Sequence, residues 1–459
     1  MLSLYGDNKI INFFTKGGPI RKLFNTSFTL SIVKLGSGRI IAQLIAFLMT
    51  PILSRLFLPK EYGLLGIVTS INAITVVFST LTYDKAIVLP KEDIKAQALT
   101  KIITIQSIII SVIFLFGSNA VISFFPKTIN VSGINEILLI LPMFILFNVQ
   151  NIVGKNWAIR KKMFGLIAQT SVVISFTVSF VKLISGLLGL TKYGLVIGTL
   201  FGEFAGFFIF FFRISPFRSA LISKQQNNIK QIGAEYIEFP KFGFPQNALN
   251  IFSRRSPALL LGIFFTPEIV GYFYFGYRMI MLPMELLNES IRSVCLKEIA
   301  DRINNKKPLK KLFQRSTGYI LIIGIVPILM LIILAPQLFT LFFGAAWVKA
   351  GIYSRWLSIW VLILFVNIPA VQVLIALKKQ KNYLQIAIFT FISRIVGLFI
   401  GGILKSDVLA IALFSIAGAL NNIIIIFVAF KCVCKFDEKI NKIDLRKLVI
   451  NSSYDLSKG

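Results

Sequence analysis

Twelve stretches of about 20 residues, nearly free of charge, alternate along this chain with shorter segments that collect Lys and Arg. The apolar stretches lie near 30–55, 62–83, 102–124, 134–154, 165–189, 194–213, 243–265, 269–291, 317–343, 350–376, 382–404 and 408–430. Wound as an α-helix at about 1.5 Å per residue, a run of this length matches the roughly 30 Å hydrocarbon thickness of a bilayer. The pattern therefore predicts an all-α integral membrane protein with about twelve transmembrane helices. The first span holds Lys34 and Arg39, and the eighth holds Arg278, Glu285 and Glu289.

The polar segments are not equivalent. Alternate connections carry Lys85, Lys91 and Lys95, then "KNWAIRKK", then Arg218, Lys224, Lys230 and Lys241, then "LKEIADRINNKKPLKKLFQR" and "KKQK". The N-terminal arm (Lys9, Lys16, Arg21, Lys22) and the tail after Lys431 belong to the same set. The opposite connections hold little beyond Arg55, Lys60, Lys127, Lys192, Lys349 and Lys405. Lys and Arg are retained on the cytoplasmic side, and about 35 basic residues fall on one side against about 6 on the other. Both termini are expected to be cytoplasmic, and the outer loops are too short to hold a soluble domain.

The long connection near 214–242 separates two groups of six spans. "LPKEYGLLG" opens the second span with Pro59 and Gly63, and "TPEIVGYFYFG" opens the eighth with Pro267 and Gly271, at the same spacing and topological place. Two repeats related by an axis along the membrane normal, with substrate between them near the midplane, are a recurrent transporter architecture. The expected organisation is a cytoplasmic arm over 1–27, lobes over 28–225 and 226–430, and a basic cytoplasmic tail over 431–459.

Composition narrows the chemistry. Of 459 residues 56% are hydrophobic, and 49 Lys and Arg face 19 Asp and Glu, for a net charge of +30. Such an excess points to nucleic acid, anionic lipid or an anionic substrate, but the side-to-side asymmetry already accounts for most of it, and nucleic acid drops out as a partner. The absence of histidine removes Ser-His-Asp and Cys-His catalysis and the usual metal sites, so no metal or cofactor is expected. Cys295, Cys432 and Cys434 lie in or beside basic segments, which argues against a disulfide framework. The first 27 residues lack a signal-peptide core and are expected to be retained.

Charges inside the spans are the remaining signal: Lys34, Arg39, Lys182, Glu203, Arg254, Arg255, Arg278, Glu285, Glu289, Arg355 and Arg394. Lys34, Glu289 and Arg355 lie near span ends, where they can reach the interface. Arg39, Arg254, Arg255 and Arg278 lie deeper, where reaching the interface would mean crossing more than about 10 Å. Asn247, Asn250, Arg254 and Pro257 share one helical face; so do Arg39, Gln43, Thr50 and Ser54. In the register set by Pro59 and Pro267, Arg39 corresponds to Asn247. The structural alternative pairs the arginines with Glu203 or Glu285; Arg278 and Glu285 share a face. Deep cations outnumber deep acids, and the planar guanidinium fork suits phosphate and pyrophosphate. These residues are expected to line a cationic chamber for an anionic headgroup. Trp157, Trp347 and Trp360, near span ends, are expected in an interfacial belt.

"IIAQLIAFLMTPILSRLFLPKEYGLLGIVTSINAITVVFSTLTYDKAIVLP" resembles the N-terminal segment of Wzx-type polysaccharide and O-antigen flippases, and "FPQNALNIFSRRSPALLLGIFFTPEIVGYFYFGYRMIMLPMELL" resembles the start of their second lobe. The resemblance implies a member of the multidrug/oligosaccharidyl-lipid/polysaccharide exporter superfamily, with a MATE-like pair of six-helix lobes around a central cavity. It implies movement of an undecaprenyl-pyrophosphate-linked oligosaccharide across the bacterial cytoplasmic membrane. Arg39, Arg254, Arg255 and Arg278, with Gln43, Asn247 and Asn250, would hold the headgroup. Asp84 and Lys85 would form part of an inner gate, and Glu203 and Glu285 are the carboxylates able to couple transport to a proton or sodium gradient. Membrane lipids, and the polymerase and chain-length proteins of the pathway, would be its partners. A multidrug cation exporter is the nearest alternative and would want acidic or aromatic walls. A polymerase or ligase of polysaccharide assembly would want catalytic groups and a large external loop.

Overall fold

The computed structural model describes residues 27–124, 134–222, 229–377 and 379–456. Almost all of the arm, together with Lys127 and Lys224, lies outside that set, as do the side chains of Lys34 and Glu289. The described elements are all helical. The first half comprises α1 (Ser27–Leu56), α2 (Pro59–Thr80), the short α3 (Tyr83–Ala86), α4 (Asp93–Phe124), α5 (Ile134–Arg160), α6 (Phe164–Leu187), α7 (Thr191–Arg213) and α8 (Ser215–Ile222). After α9 (Ile229–Glu235) come α10 (Phe244–Phe264), α11 (Pro267–Asn304), α12 (Lys310–Phe343), α13 (Val348–Val366), α14 (Ile368–Ala376), α15 (Gln380–Ile403) and α16 (Asp407–Leu456).

Ten segments among the described residues are long and apolar enough to cross a membrane, against the twelve expected. The two that fall short are α10 and α11, the helices carrying Arg254, Arg255, Arg278 and Glu285. This is a multi-pass membrane protein. Several helices outrun their apolar stretches: α4 begins at Asp93, α11 runs on to Asn304 and α16 continues from the last span to Leu456. Hydropathy reads the thickness of the bilayer, whereas a helix stops only where capping or proline stops it. The tenth span is broken at Asn367, before Pro369, into α13 and α14. Pro369 lies in the first turn of α14, where proline's missing N–H leaves no intrahelical bond unmade.

Within the first half α1 packs on α6, α6 on α7, and α5 on α4 and α7; within the second, α12 packs on α13, α15 on α16, and α13 on α11 and α16. The main contact between the halves is made by α2 against α11 and α10. The Pro-x-x-x-Gly echo lands at this contact. Pro59 opens α2 and Pro267 opens α11. A Cβ on Gly63 would lie 1.9 Å from the Pro267 carbonyl oxygen, and one on Gly271 would lie 1.8 Å from that of Pro59. The contact is reciprocal, as a two-fold relation between the halves requires. Only glycine lets the backbones approach this closely, the device membrane helices use where lipid tails are as apolar as the helices themselves.

Aromatic side chains close the space around the crossing. The Tyr62 ring meets Phe275 and Trp347 edge-on, both with centroids 5.1 Å away. The Trp347 indole donates to the Ser54 carbonyl at 2.9 Å, and the Ser54 hydroxyl donates to the Phe343 carbonyl at 3.1 Å. Trp157 donates to the Thr100 hydroxyl at 2.8 Å. The expected interfacial belt is thus corrected: Trp157, Trp347 and Trp360 are all buried, because each large ring finds packing partners from neighbouring helices that span position alone does not reveal.

At the other end, Arg160 organises the turn between α3 and α4. Its guanidinium donates to the carbonyls of Ile87, Pro90 and Lys91 and to Asp93, whose second oxygen takes Lys161 at 2.6 Å. The crossing yields a direct test by thermal unfolding in detergent. Gly63→Val or Gly271→Val is expected to lower the midpoint strongly or prevent folding, whereas Gly36→Ala, whose Cβ would meet nothing within 4 Å, leaves it unchanged or slightly higher. Equal tolerance at all three positions would refute the close approach.

Candidate functional site: a cationic cavity between the halves

A cavity of about 230 Å³ lies between α1, α2, α6, α7 and α11. Two cations face it, Lys182 from α6 in the first half and Arg278 from α11 in the second, and its lining holds no carboxylate. Lys182 is buried, and the two charges act on each other across the space. Neither has a carboxylate within 4 Å among the described residues, so the Arg278–Glu285 pair that the spacing allowed does not form. Two unneutralised cations in a low-dielectric space are costly unless water or an anion occupies it. The volume is far more than one water needs.

The rest of the wall carries neutral hydroxyls, those of Tyr62, Ser179 and Tyr274 and four that are engaged with the backbone. The hydroxyls of Thr50, Thr69, Ser175 and Thr199 donate to helix carbonyls at 2.6–2.8 Å. Their hydrogens are committed to the backbone, which leaves the ammonium and the guanidinium as the strongest donors toward an occupant.

A second basic cluster lies one residue away on α11. Tyr277 is within electrostatic reach of Arg254 and Arg255 from α10, Arg394 from α15, and Glu285. Its ring stacks on Trp360 with centroids 5.8 Å apart. The Arg394 guanidinium lies 3.9 Å from the centroid of Trp360 and 4.5 Å from that of Phe414. Gly418 makes room for it, since a Cβ there would sit 2.3 Å from Nη2. Cation–π contact offsets part of the burial of this charge, while Nε and Nη2 make no hydrogen bond. Adjacent positions on a helix point about 100° apart, and α11 uses that angle to serve both halves: Arg278 addresses α6, and Tyr277 addresses α10, α13 and α15.

The residues expected to line one chamber are therefore divided. Arg278 lines the 230 Å³ cavity; Arg39, Gln43, Asn247, Asn250, Arg254 and Arg255 are not part of its wall. Arg39, Asn250 and Arg254 are exposed, and Asn247 and Arg255 are half-buried. Gln43 ties the halves together by donating to the Leu282 carbonyl of α11 at 3.0 Å. Glu203 sits between α7 and α5, accepting from the Asn151 amide at 2.7 Å rather than from an arginine, and Glu285 is exposed. Lys182 and Arg394 complete the two clusters. Each was visible as a charge in an apolar run, but neither carried a sign of the direction it would face.

The sequence pattern of a family described as "Polysaccharide biosynthesis protein" matches residues 52–352, well over half of the chain. The chain belongs to that family. No curated protein sequence matches it. Among solved structures it resembles the lipid II flippase MurJ in an inward closed conformation, with a TM-score of 0.68 and 14% identity over 90% of each chain. It also resembles an inward-facing multidrug resistance MATE family transporter of the MOP superfamily, with a TM-score of 0.65 and 14% identity over 88% of this chain and 99% of that one. A Pyrococcus furiosus MOP superfamily transporter, described as having a binding pocket of reverse polarity, matches with a TM-score of 0.53 and 15% identity over 90% and 96%. These likenesses show a MATE-like fold for this member of the polysaccharide biosynthesis family.

The expected gate residues sit in α3, just after a strained turn that ends α2. Leu81 and Thr82 both have positive φ, at 43° and 62°, a conformation unfavourable for side chains with a Cβ and commonly retained where function fixes the backbone. The Thr82 hydroxyl donates to the Phe239 carbonyl at 2.7 Å, and the Tyr83 hydroxyl donates to the Gly233 carbonyl at 3.0 Å. Lys95 pairs with Glu235 at 2.8 Å. Neighbours of Asp84 and Lys85 thus join this end to the 229–243 segment; Lys85 is exposed and Asp84 is half-buried without an ion pair among the described residues. Burial holds the Asp84 carboxyl above the usual carboxylate range, against the opposing pull of Lys85 and of hydrogen bonds from Thr80 and its own turn. A raised folded-state pKa means that the favourable contribution is complete at acid pH and is lost as pH rises from the usual carboxylate range through the raised value. Asp84→Asn is expected to match wild type in melting temperature at the acid end of that window and to exceed it above. Parallel pH profiles for the two proteins would contradict the assignment.

Proposed function

We propose that the protein is a flippase of the bacterial cytoplasmic membrane. It moves an undecaprenyl-pyrophosphate-linked oligosaccharide, the repeat unit of an O-antigen, capsule or related polymer, from the inner to the outer leaflet. The observation that carries this reading is the pair Lys182 and Arg278 facing one cavity from opposite halves with no carboxylate in its lining. Such a site attracts a compact anion and repels a cation, which favours a phosphorylated headgroup over a cationic drug. Family membership and the fold shared with a lipid II flippase support a lipid-linked substrate. The basic connections support cytoplasmic termini.

In this reading the halves rock about the α2–α11 crossing, and an anion that contacts both Lys182 and Arg278 draws them together. The cluster of Arg254, Arg255 and Arg394 around Tyr277 is a second cationic station, with Arg39 a further, exposed cation on α1. Glu203, held by Asn151, is the carboxylate placed to couple transport to a proton or sodium gradient. The protein works as a carrier rather than an enzyme, beside the polymerase and chain-length proteins of its pathway.

The test is the leaflet distribution of lipid-linked oligosaccharide in cells lacking the protein, complemented at matched levels with wild type, with Lys182→Met plus Arg278→Gln, or with Arg254→Gln plus Arg255→Gln. Deletion is expected to trap the oligosaccharide on the cytoplasmic face, and the Lys182/Arg278 double variant to restore less than a tenth of the wild-type movement. Deletion without accumulation would remove the flippase reading. Full rescue by that double variant would remove the cavity from it.

A further inference from the structure

The last helix outruns the membrane and carries a basic cluster with it. Counted from Asp407 at about 1.5 Å per residue, the roughly 30 Å of hydrocarbon is crossed near Phe427. Leu420, Ile423 and Phe427 are exposed and share one helical face, a lipid-facing stripe that Lys431 and Lys435 continue past the hydrocarbon. On α12, Tyr319, Ile322 and Val326 form a second exposed stripe, and Lys310 opens the helix. The two helices are joined at this end. The Asp437 carboxylate of α16 accepts from the backbone N–H groups of Leu309 and Lys310 at 2.8 and 2.9 Å, and the Phe313 ring of α12 meets that of Phe430 with centroids 6.2 Å apart.

The ammonium groups lie against aromatic rings: Lys310 Nζ is 6.0 Å from the centroid of Phe430, and Lys431 Nζ is 4.4 Å from that of Phe427. Lys310, Lys431 and Lys435 are exposed, and none has a carboxylate within 4 Å among the described residues. Glu438, one turn past Lys435 and farther from the membrane, pairs with none of them. In the first half, by contrast, Lys95 holds Glu235, and Arg160 and Lys161 share Asp93.

We infer that the α12–α16 junction binds an anionic glycerophospholipid, with its phosphate at Lys310, Lys431 and Lys435 and its acyl chains along the two apolar stripes. A membrane-facing apolar surface is covered by lipid of necessity, and three unpaired ammonium groups at the headgroup level select which lipid. In the orientation that the basic connections support, this is the inner leaflet. An acidic protein segment would meet the lysines but not the stripes that run from them into the membrane. The lipid bridges the two helices that Asp437 joins, and so braces the second half without entering the cavity at Lys182 and Arg278. The inference goes beyond the proposed function and stands or falls apart from it, because no translocated substrate is involved.

The test is native mass spectrometry of the full chain in a nonionic detergent, titrated with phosphatidylglycerol or with phosphatidylethanolamine of the same acyl chains. Phosphatidylglycerol is expected to bind roughly tenfold tighter or better. Lys310→Gln, Lys431→Gln and Lys435→Gln together should erase that preference and leave phosphatidylethanolamine binding unchanged, which also shows that the variant is folded. Lys297→Gln, Lys306→Gln and Lys307→Gln together remove the same charge from other exposed positions on that side, and should leave the preference intact. Equal binding of the two lipids by wild type, or a preference that survives the first triple variant, overturns the assignment. Equal losses in the two triple variants would make the preference a property of the whole basic face and overturn it too. Displacement of phosphatidylglycerol by equimolar polyglutamate would give the lysines to an acidic protein partner instead.

Discussion

The closest approach between the halves is where α2 crosses α11, and the rest of the arrangement depends on it. Gly63 lies on the carbonyl of Pro267, and Gly271 lies on the carbonyl of Pro59. A side chain at either position would push the helices apart by the width of a methyl group or more. That separation would pull Tyr62 from Phe275 and Trp347, loosen the Trp347–Ser54 hydrogen bond, and alter the distance between the walls that carry Lys182 and Arg278. A reciprocal contact of this kind resists separation, and in the proposed mechanism it is the axis about which the two halves rock. An alternating-access carrier needs both properties.

The intramembrane charges are arranged around that axis rather than scattered. α11 carries Arg278 toward the first half and Tyr277 toward the arginines of the second, so a single helix couples the two basic clusters. The buried and half-buried charges differ in how their cost is met. Arg394 is offset by Trp360 and Phe414, and Glu203 by the Asn151 amide. Lys182 and Arg278 have no such compensation among the described residues, and on that contrast rests the proposal that their cavity receives an anion.

Much of this was legible in the sequence, for identifiable reasons. Span positions follow from bilayer thickness. The Pro59–Gly63 and Pro267–Gly271 recurrence was readable because a close crossing needs glycine and a helix start tolerates proline. Arg278 was readable as a charge too deep to reach water. The site's second cation was not: Lys182 is one charge in an apolar run, and nothing local shows which helix it will face. The Arg394 environment needed aromatic rings from α13 and α16, more than 30 residues away on one side. The Tyr83 and Thr82 contacts depended on a left-handed turn with no glycine to announce it. Helix ends beyond the apolar core were missed because hydropathy is blind to them, as at Asn304 and Leu456.

The most direct measurement is transbilayer movement in vesicles reconstituted with the purified protein. A fluorescent polyprenyl-pyrophosphate oligosaccharide would be compared with a neutral phospholipid and a cationic dye, by quenching of the outer leaflet. The account predicts protein-dependent movement of the pyrophosphate-linked lipid alone, lost when Lys182 and Arg278 are both neutralised. Movement of the cationic dye in preference to it, or undiminished lipid movement by the neutralised protein, would contradict the account.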